Sequence, residues 1–139
     1  MKILLVNVCL RYDTPVAVVP VGLACIATAL DQAGYDFDIL DIDLHRYDDA
    51  AIRERLSRER YDVVGLGNLV SSYKVTKHIT AMVREEQPQA RIVVGNTVAS
   101  IPRQLLSWNP QIDFAVIGEG EQAMVWTRLV AEAHAFNPQ

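Results

Sequence analysis

The sequence predicts an α/β domain: a five-stranded parallel sheet with helices on both faces. Three observations predict it. Short apolar runs recur at Lys2–Asn7, Phe37–Ile42, Tyr61–Leu66, Arg91–Val94 and Phe114–Ile117. Each run is followed by a loop and then by residues with helical spacing. The runs Lys2–Asn7 and Tyr61–Leu66 are apolar at consecutive positions, which places both of their faces inside, as in a parallel sheet. Alternating strands and helices form one layer of sheet between two layers of helix.

The elements follow in order. Lys2–Asn7 (KILLVN) is a buried strand. Asn7–Val19 is a loop of about a dozen residues, a length usually kept for function. Pro20 opens a helix, because its missing N–H is not needed there, and the helix runs to about Ala33, where Gly34 ends it. That helix is apolar nearly all round, which predicts deep burial. Phe37–Ile42 is the second strand, flanked by Asp36, Asp38, Asp41 and Asp43. Asp48–Glu59 is amphipathic, with Ala51, Ile52 and Leu56 facing in. Tyr61–Leu66 leads into the loop Gly67–Ser72, where Ser71 or Ser72 can cap the next helix. Val75, Ile79, Met82 and Val83 give that helix its inner face, and Pro88 stops it. Arg91–Val94 is the fourth strand and Gly95–Ser100 its loop. A short helix spans Pro102–Trp108. Phe114–Ile117 is the fifth strand, Gly118–Glu121 its loop, and Trp126, Leu129, Val130 and Ala133 mark a last helix. Right-handed crossovers leave two common strand orders, flavodoxin-like 2-1-3-4-5 and half of a dinucleotide fold. In both, ligands sit at the carboxyl ends of the strands.

Composition bounds the function. A length of 139 residues suggests one domain, 1–139. The formal charge is −4 and no Lys/Arg-rich block occurs, so no nucleic-acid partner is expected. Cys9 and Cys25 are too few for a disulfide framework, and a reducing cytoplasm is the expected setting. Val16–Leu30 carries no charge but falls short of the ~18 residues of a membrane span, and Pro20 and Gly22 interrupt it. No membrane association is expected.

Several chemistries fail on residue type. A phosphoacceptor domain needs acids after strands one and three and a Lys after strand five; Asn7, Gly67-Asn68 and Gly118-Glu119 stand there. No GxxxxGK[ST] phosphate loop occurs. Gly118–Ala123 formally matches GxGxx[GA], but on the last strand, with two carboxylates where a pyrophosphate needs positive potential. Glu119 and Glu121 read better as partners of a helix N-terminus. Cys9 has no evident base among His45, His78 and His134, so it reads as a small half-buried side chain rather than a nucleophile. Asp41 and Asp43 lack a third metal ligand. What remains is a set of small residues after strands three, four and five. Such residues let a large planar ligand approach the backbone.

The pattern Lys2–Asn7, Pro20-x-Gly22-Leu23-Ala24, Ala33-Gly34-Tyr35, Leu40-Asp41, Tyr61-Asp62-Val63-Val64-Gly65-Leu66, Val93-Val94-Gly95, and Asp113-Phe114-Ala115-Val116-Ile117-Gly118-Glu119-Gly120-Glu121 resembles the cobalamin-binding domain at the N-terminus of B12-dependent radical SAM enzymes. The resemblance spans almost the whole chain. It implies the flavodoxin-like order, a corrin on the carboxyl edge of the sheet, and a nucleotide tail threaded among the loops. The residues it implies for cofactor binding are Asn7, Cys9, Leu10, Arg11, Gly22, Leu23, Gly67, Asn68, Leu69, Val70, Ser71, Gly95, Asn96, Thr97, Gly118, Glu119 and Gly120. Cys9, Leu10 and Arg11 would face the lower side of the corrin. Related domains carry D-x-H-x-x-G after strand one; Asn7, Cys9 and Tyr12 replace its Asp, His and Gly, which implies base-off cobalamin without a histidine ligand. Gly67 replaces a serine, and Asn96 replaces the second glycine of a pair. No CxxxCxxC occurs, so any iron–sulfur cluster and SAM would belong to a partner radical SAM domain or subunit. The chain would not catalyse methyl transfer alone. Two alternatives stand beside this: a non-catalytic interaction domain, and a flavodoxin-like domain for another small ligand such as FMN.

Overall fold

Alternation of side chains along the strands sets how this chain buries its apolar residues. The structure is a computed structural model and describes residues 1–14 and 20–118. Strands β1 (Lys2–Asn7), β2 (Asp36–Asp41), β3 (Val63–Gly67), β4 (Arg91–Gly95) and β5 (Phe114–Ala115) form one parallel sheet in the order β2-β1-β3-β4-β5. This is the flavodoxin-like order. The helices are α1 (Val21–Gln32), α2 (Ile42–His45), α3 (Asp49–Ser57), α4 (Tyr73–Glu86) and α5 (Pro102–Trp108), with one-turn 3₁₀ segments at Val70–Ser72 and Thr97–Ser100.

Odd and even positions of each strand go to opposite faces. Leu4, Val6, Val64, Leu66, Ile92 and Val94 pack with Ile52 and Leu56 of α3, Ile79, Met82 and Val83 of α4, and Leu105 of α5. Ile3, Leu5, Val63 and Val93 form a smaller cluster with Leu30, against which Leu23 and Ile26 pack. Each fully buried aliphatic side chain is worth about 1.5–3 kcal/mol in removed apolar surface.

Asp113 closes the sheet at its amino edge. Its carboxylate accepts from Ile92 N at 2.8 Å and from Arg84 Nη2 at 2.7 Å. Arg84 also donates to the carbonyls of Pro88, Ala90 and Gln111. The Asp that opens the Asp113-Phe114 signature is thus structural: it aligns β5 beside β4.

Several expectations change, among them β3, which starts at Val63 and not Tyr61, and β5, which ends at Ala115 and not Ile117. Helix α1 is not deeply buried: only Leu30 is, while Val21, Gly22, Ala24, Cys25 and Thr28 are exposed. The sheet beneath its first turns ends in Gly65, Gly67 and Gly95, which offer it few side chains to pack against. Strand β2 ends at Asp41, because the Asp41 carboxylate accepts from Leu44 N at 2.9 Å and starts the unexpected turn of helix α2. Ser72 stands at the N-cap of α4 but makes no side-chain capping bond. The expected last helix lies outside the described residues.

Candidate functional site

The same alternation that builds the core also hollows one end of it. On the α1 face, the last side chains of successive strands shrink toward the carboxyl edge. Leu5 is followed by Asn7, Val63 by Gly65 and Gly67, Val93 by Gly95, and Val116 by Gly118. Gly65 lies in register with both Leu5 and Val93, and Gly67 with Gly95. Where side chains stop, α1 has nothing to pack against, and a groove of about 420 Å³ opens between helix and sheet.

The groove has an apolar floor of Leu5, Leu23, Ile26, Val93 and Val116, and a rim of Asn7, Gly67, Gly95, Asn96 and Gly118. Two glycines of the rim sit where a side chain would be strained or crowded. Gly118 has φ of +82°, a conformation that side chains disfavour. A Cβ on Gly67 would stand 3.3 Å from the Cβ of Asn96. Asn96 itself has φ 66° and ψ −164°, a region occupied almost only by glycine. Its Oδ1 accepts from Thr97 N at 2.7 Å. Asn7 donates from Nδ2 to Asp41 Oδ1 at 2.9 Å, which ties the end of β1 to the start of α2.

Seven of the expected residues therefore meet at one groove: Asn7, Gly22, Leu23, Gly67, Gly95, Asn96 and Gly118. Others lie elsewhere. Cys9 is 3% exposed and belongs to the core on the α3–α4 side. Burial first, then a hydrogen bond to Asp43, pushes its thiol up from the ordinary range. Leu10 and Arg11 are exposed beyond it, as are Leu69, Ser71 and Thr97. Asn68 is buried and turned away: its Nδ2 donates to Ser72 O and to Thr76 Oγ1, and its backbone O accepts from Val98 N. It joins the loops after β3 and β4 instead of reaching into the groove. Val70 opens a 3₁₀ turn. Glu119 and Gly120 lie outside the described residues.

The floor residues Leu5, Gly65, Val93 and Val116 were not among the expected site residues. Their signal was present, since counting by twos back from Asn7, Gly67, Gly95 and Gly118 reaches them. Neither described histidine lines the groove. His45 stacks on Tyr47, and exposed His78 meets Asp49 at 2.8 Å. Among the described residues no group of three or more His, Cys, Asp or Glu is placed to hold a metal ion. None of their helices is long and apolar enough to cross a membrane.

Comparison with known proteins gives the family. The family model described as "B12 binding domain" matches residues 5–126. The anaerobic magnesium-protoporphyrin IX monomethyl ester cyclase of Synechocystis sp. is 30% identical over 118 residues, covering 83% of this chain and 24% of the cyclase. The cytidylyl-2-hydroxyethylphosphonate methyltransferase of Streptomyces wedmorensis is 29% identical over 148 residues, covering 90% of this chain and 28% of that enzyme. The radical S-adenosylmethionine methyltransferase TsrM from Kitasatospora setae, solved with cobalamin and a [4Fe-4S] cluster bound, superposes with a TM-score of 0.77 at 21% identity. The match covers 95% of this chain and 24% of TsrM, which shows the shared fold. The chain thus spans roughly a quarter of the length of these relatives. It belongs to the B12-binding domain family, and cobalamin is the cofactor of that family.

Proposed function

We propose that this chain holds cobalamin base-off, with the nucleotide tail in the groove and no histidine ligand to cobalt, and presents the corrin to a radical SAM domain or subunit. The observation that carries the reading is the run of Gly67, Gly95 and Gly118 at the carboxyl ends of three neighbouring strands, beside Asn7 of β1, under a helix exposed along most of its length.

The residues present fit such a group. The aliphatic floor suits a flat aromatic base, and the glycines at the ends of β3 and β4 let it approach the backbone. Leu23 and Ile26 would cover the base from α1. Asn7 and Asn96 would stand at the mouth, where a tail carries its ribose and phosphate. Leu10 and Arg11, exposed after β1, would meet the ring, while Gly118, after β5, would border the base. Cys9 in place of a histidine leaves the loop after β1 no histidine to offer cobalt, and seating of the tail in the groove is what would draw its base away from the metal. Bound cobalamin would supply a cobalt able to carry a methyl group or to assist a radical step in the partner. The iron–sulfur cluster and SAM would come from that partner, in keeping with the small share of each relative that this chain covers. A cytoplasmic setting suits two free cysteines.

A second reading, a non-catalytic interaction domain, has one observation in its favour. Asn96 puts a side chain where the resemblance implies none. A single experiment separates the two. Purified chain is incubated with hydroxocobalamin, desalted, and its visible spectrum recorded. Retained cobalamin with a base-off spectrum supports the first reading. A colourless protein with an intact circular dichroism spectrum supports the second and removes the first.

A further inference from the structure

We propose that Arg46, a residue outside the groove, is a positioning residue for the loop after β1. It holds Cys9 turned into the core and leaves Leu10 facing outward. The inference rests on the reading of the site given above, in which that loop meets the ring.

Arg46 ends helix α2 in a left-handed conformation, with φ 54° and ψ 38°. Its side chain crosses to the neighbouring loop and is only 26% exposed. Nη1 donates to Cys9 Sγ at 2.8 Å and to Arg11 O at 2.5 Å, and Nη2 donates to Thr14 O. Asp43 lies 3.5 Å from the same guanidinium and balances its charge. The next residue adds a second tie, since the Tyr12 hydroxyl donates to Tyr47 O at 2.8 Å. Two consecutive residues after α2 therefore hold Cys9, Arg11, Tyr12 and Thr14.

The chemistry needs arginine. A planar guanidinium addresses three acceptors at fixed angles, whereas an ammonium is a point donor on a flexible stem. The acceptors include main-chain carbonyls of the loop, so the clamp fixes backbone, not merely side chains. Donors that carry charge make the stronger hydrogen bonds. A loop fixed before the ligand arrives loses less entropy on binding.

The test uses Cys9 as its own reporter. In a Cys25→Ser chain, Cys9 is the one thiol; Cys25 is exposed and outside the groove lining. Reaction of Cys9 with an aromatic disulfide reagent is expected to be slow. Arg46→Ala should speed it on the order of 100-fold, as charged hydrogen bonds of about 1.5–3 kcal/mol are lost. Arg46→Lys should fall between, and Tyr12→Phe, which removes one tie and nothing else, should give a several-fold rise. Release of bound hydroxocobalamin should quicken in the same order, and urea midpoints should fall by no more than the free energy read from the thiol rates. Unaltered thiol protection in a folded Arg46→Ala chain overturns the proposal. So does an opened Cys9 with unaltered cobalamin release. If the Cys25→Ser chain takes up no cobalamin, the reading of the site falls, while the thiol rates still decide whether Arg46 clamps the loop.

Discussion

Replacing Gly22 with Trp should close the groove without unfolding the chain. Gly22 lies in the first turn of α1 and lines the groove, and a Cβ built there meets no atom within 4 Å. The new side chain therefore starts in open space, beside a cavity of about 420 Å³ floored by Leu5, Val93 and Val116. An indole is apolar and flat, so the same floor that suits a ligand's base should draw it in. Burying about 150 Å² of an aromatic base at about 25 cal/mol per Å² is worth roughly 4 kcal/mol. Losing that contact weakens binding by a few hundred-fold, since about 1.4 kcal/mol is tenfold. Equilibrium dialysis with hydroxocobalamin reads the affinity, and a thermal melt reads the fold. Gly22→Ala serves as the control, with affinity within about threefold of the parent because a methyl fills little of the groove. A Gly22→Trp chain that melts normally and still binds cobalamin within threefold would falsify the assignment of the groove to the tail.

Other consequences follow from individual contacts. Gly67→Ser should cost about 1–2 kcal/mol by crowding Asn96, whose Cβ lies 3.3 Å from the added atom, and Asn96→Gly should remove that cost. A urea double-mutant cycle reads the coupling, and simple additivity would contradict the contact. Gln87→Ala should lower stability by about 3 kcal/mol, because buried Gln87 donates to Leu56 O and Glu59 O and accepts from Tyr61 N at 3.1 Å. A loss below about 1 kcal/mol would show that water replaces these bonds. Asp38 carries a pH dependence. Burial pulls its carboxyl up, but hydrogen bonds from the Tyr61 hydroxyl and the Lys2 ammonium outweigh it and hold the group below its usual range. Its stabilising share is therefore present above the unfolded value of about 3.9 and is lost as pH falls through the folded value. Asp38→Asn should flatten the acid limb of stability against pH below about 4, and an unchanged limb would refute the pairing.

The sheet was legible because its information is local and periodic. Apolar runs at consecutive positions in β1 and β3 require burial on both faces, and β2-β1-β3-β4-β5 is one of few ways to connect them. The groove was partly legible for the same reason. Gly67, Gly95 and Gly118 end successive strands, and period two places Gly65, Val93 and Val116 beneath them. The sheath of α1 was misjudged, since an apolar composition says that a helix seeks cover but not how closely the sheet below can receive it.

The sequence by itself determined the strand order's short menu and the small residues at one rim. Only the tertiary structure decided that Asn68 turns toward Thr76, that Asn96 occupies the space Gly67 leaves, and that Arg46 reaches Cys9 across 37 positions of chain. These choices depend on which of several open directions a side chain takes once distant segments meet. Periodicity assigns a residue to a face. It does not say which neighbour on that face will accept its hydrogen bond.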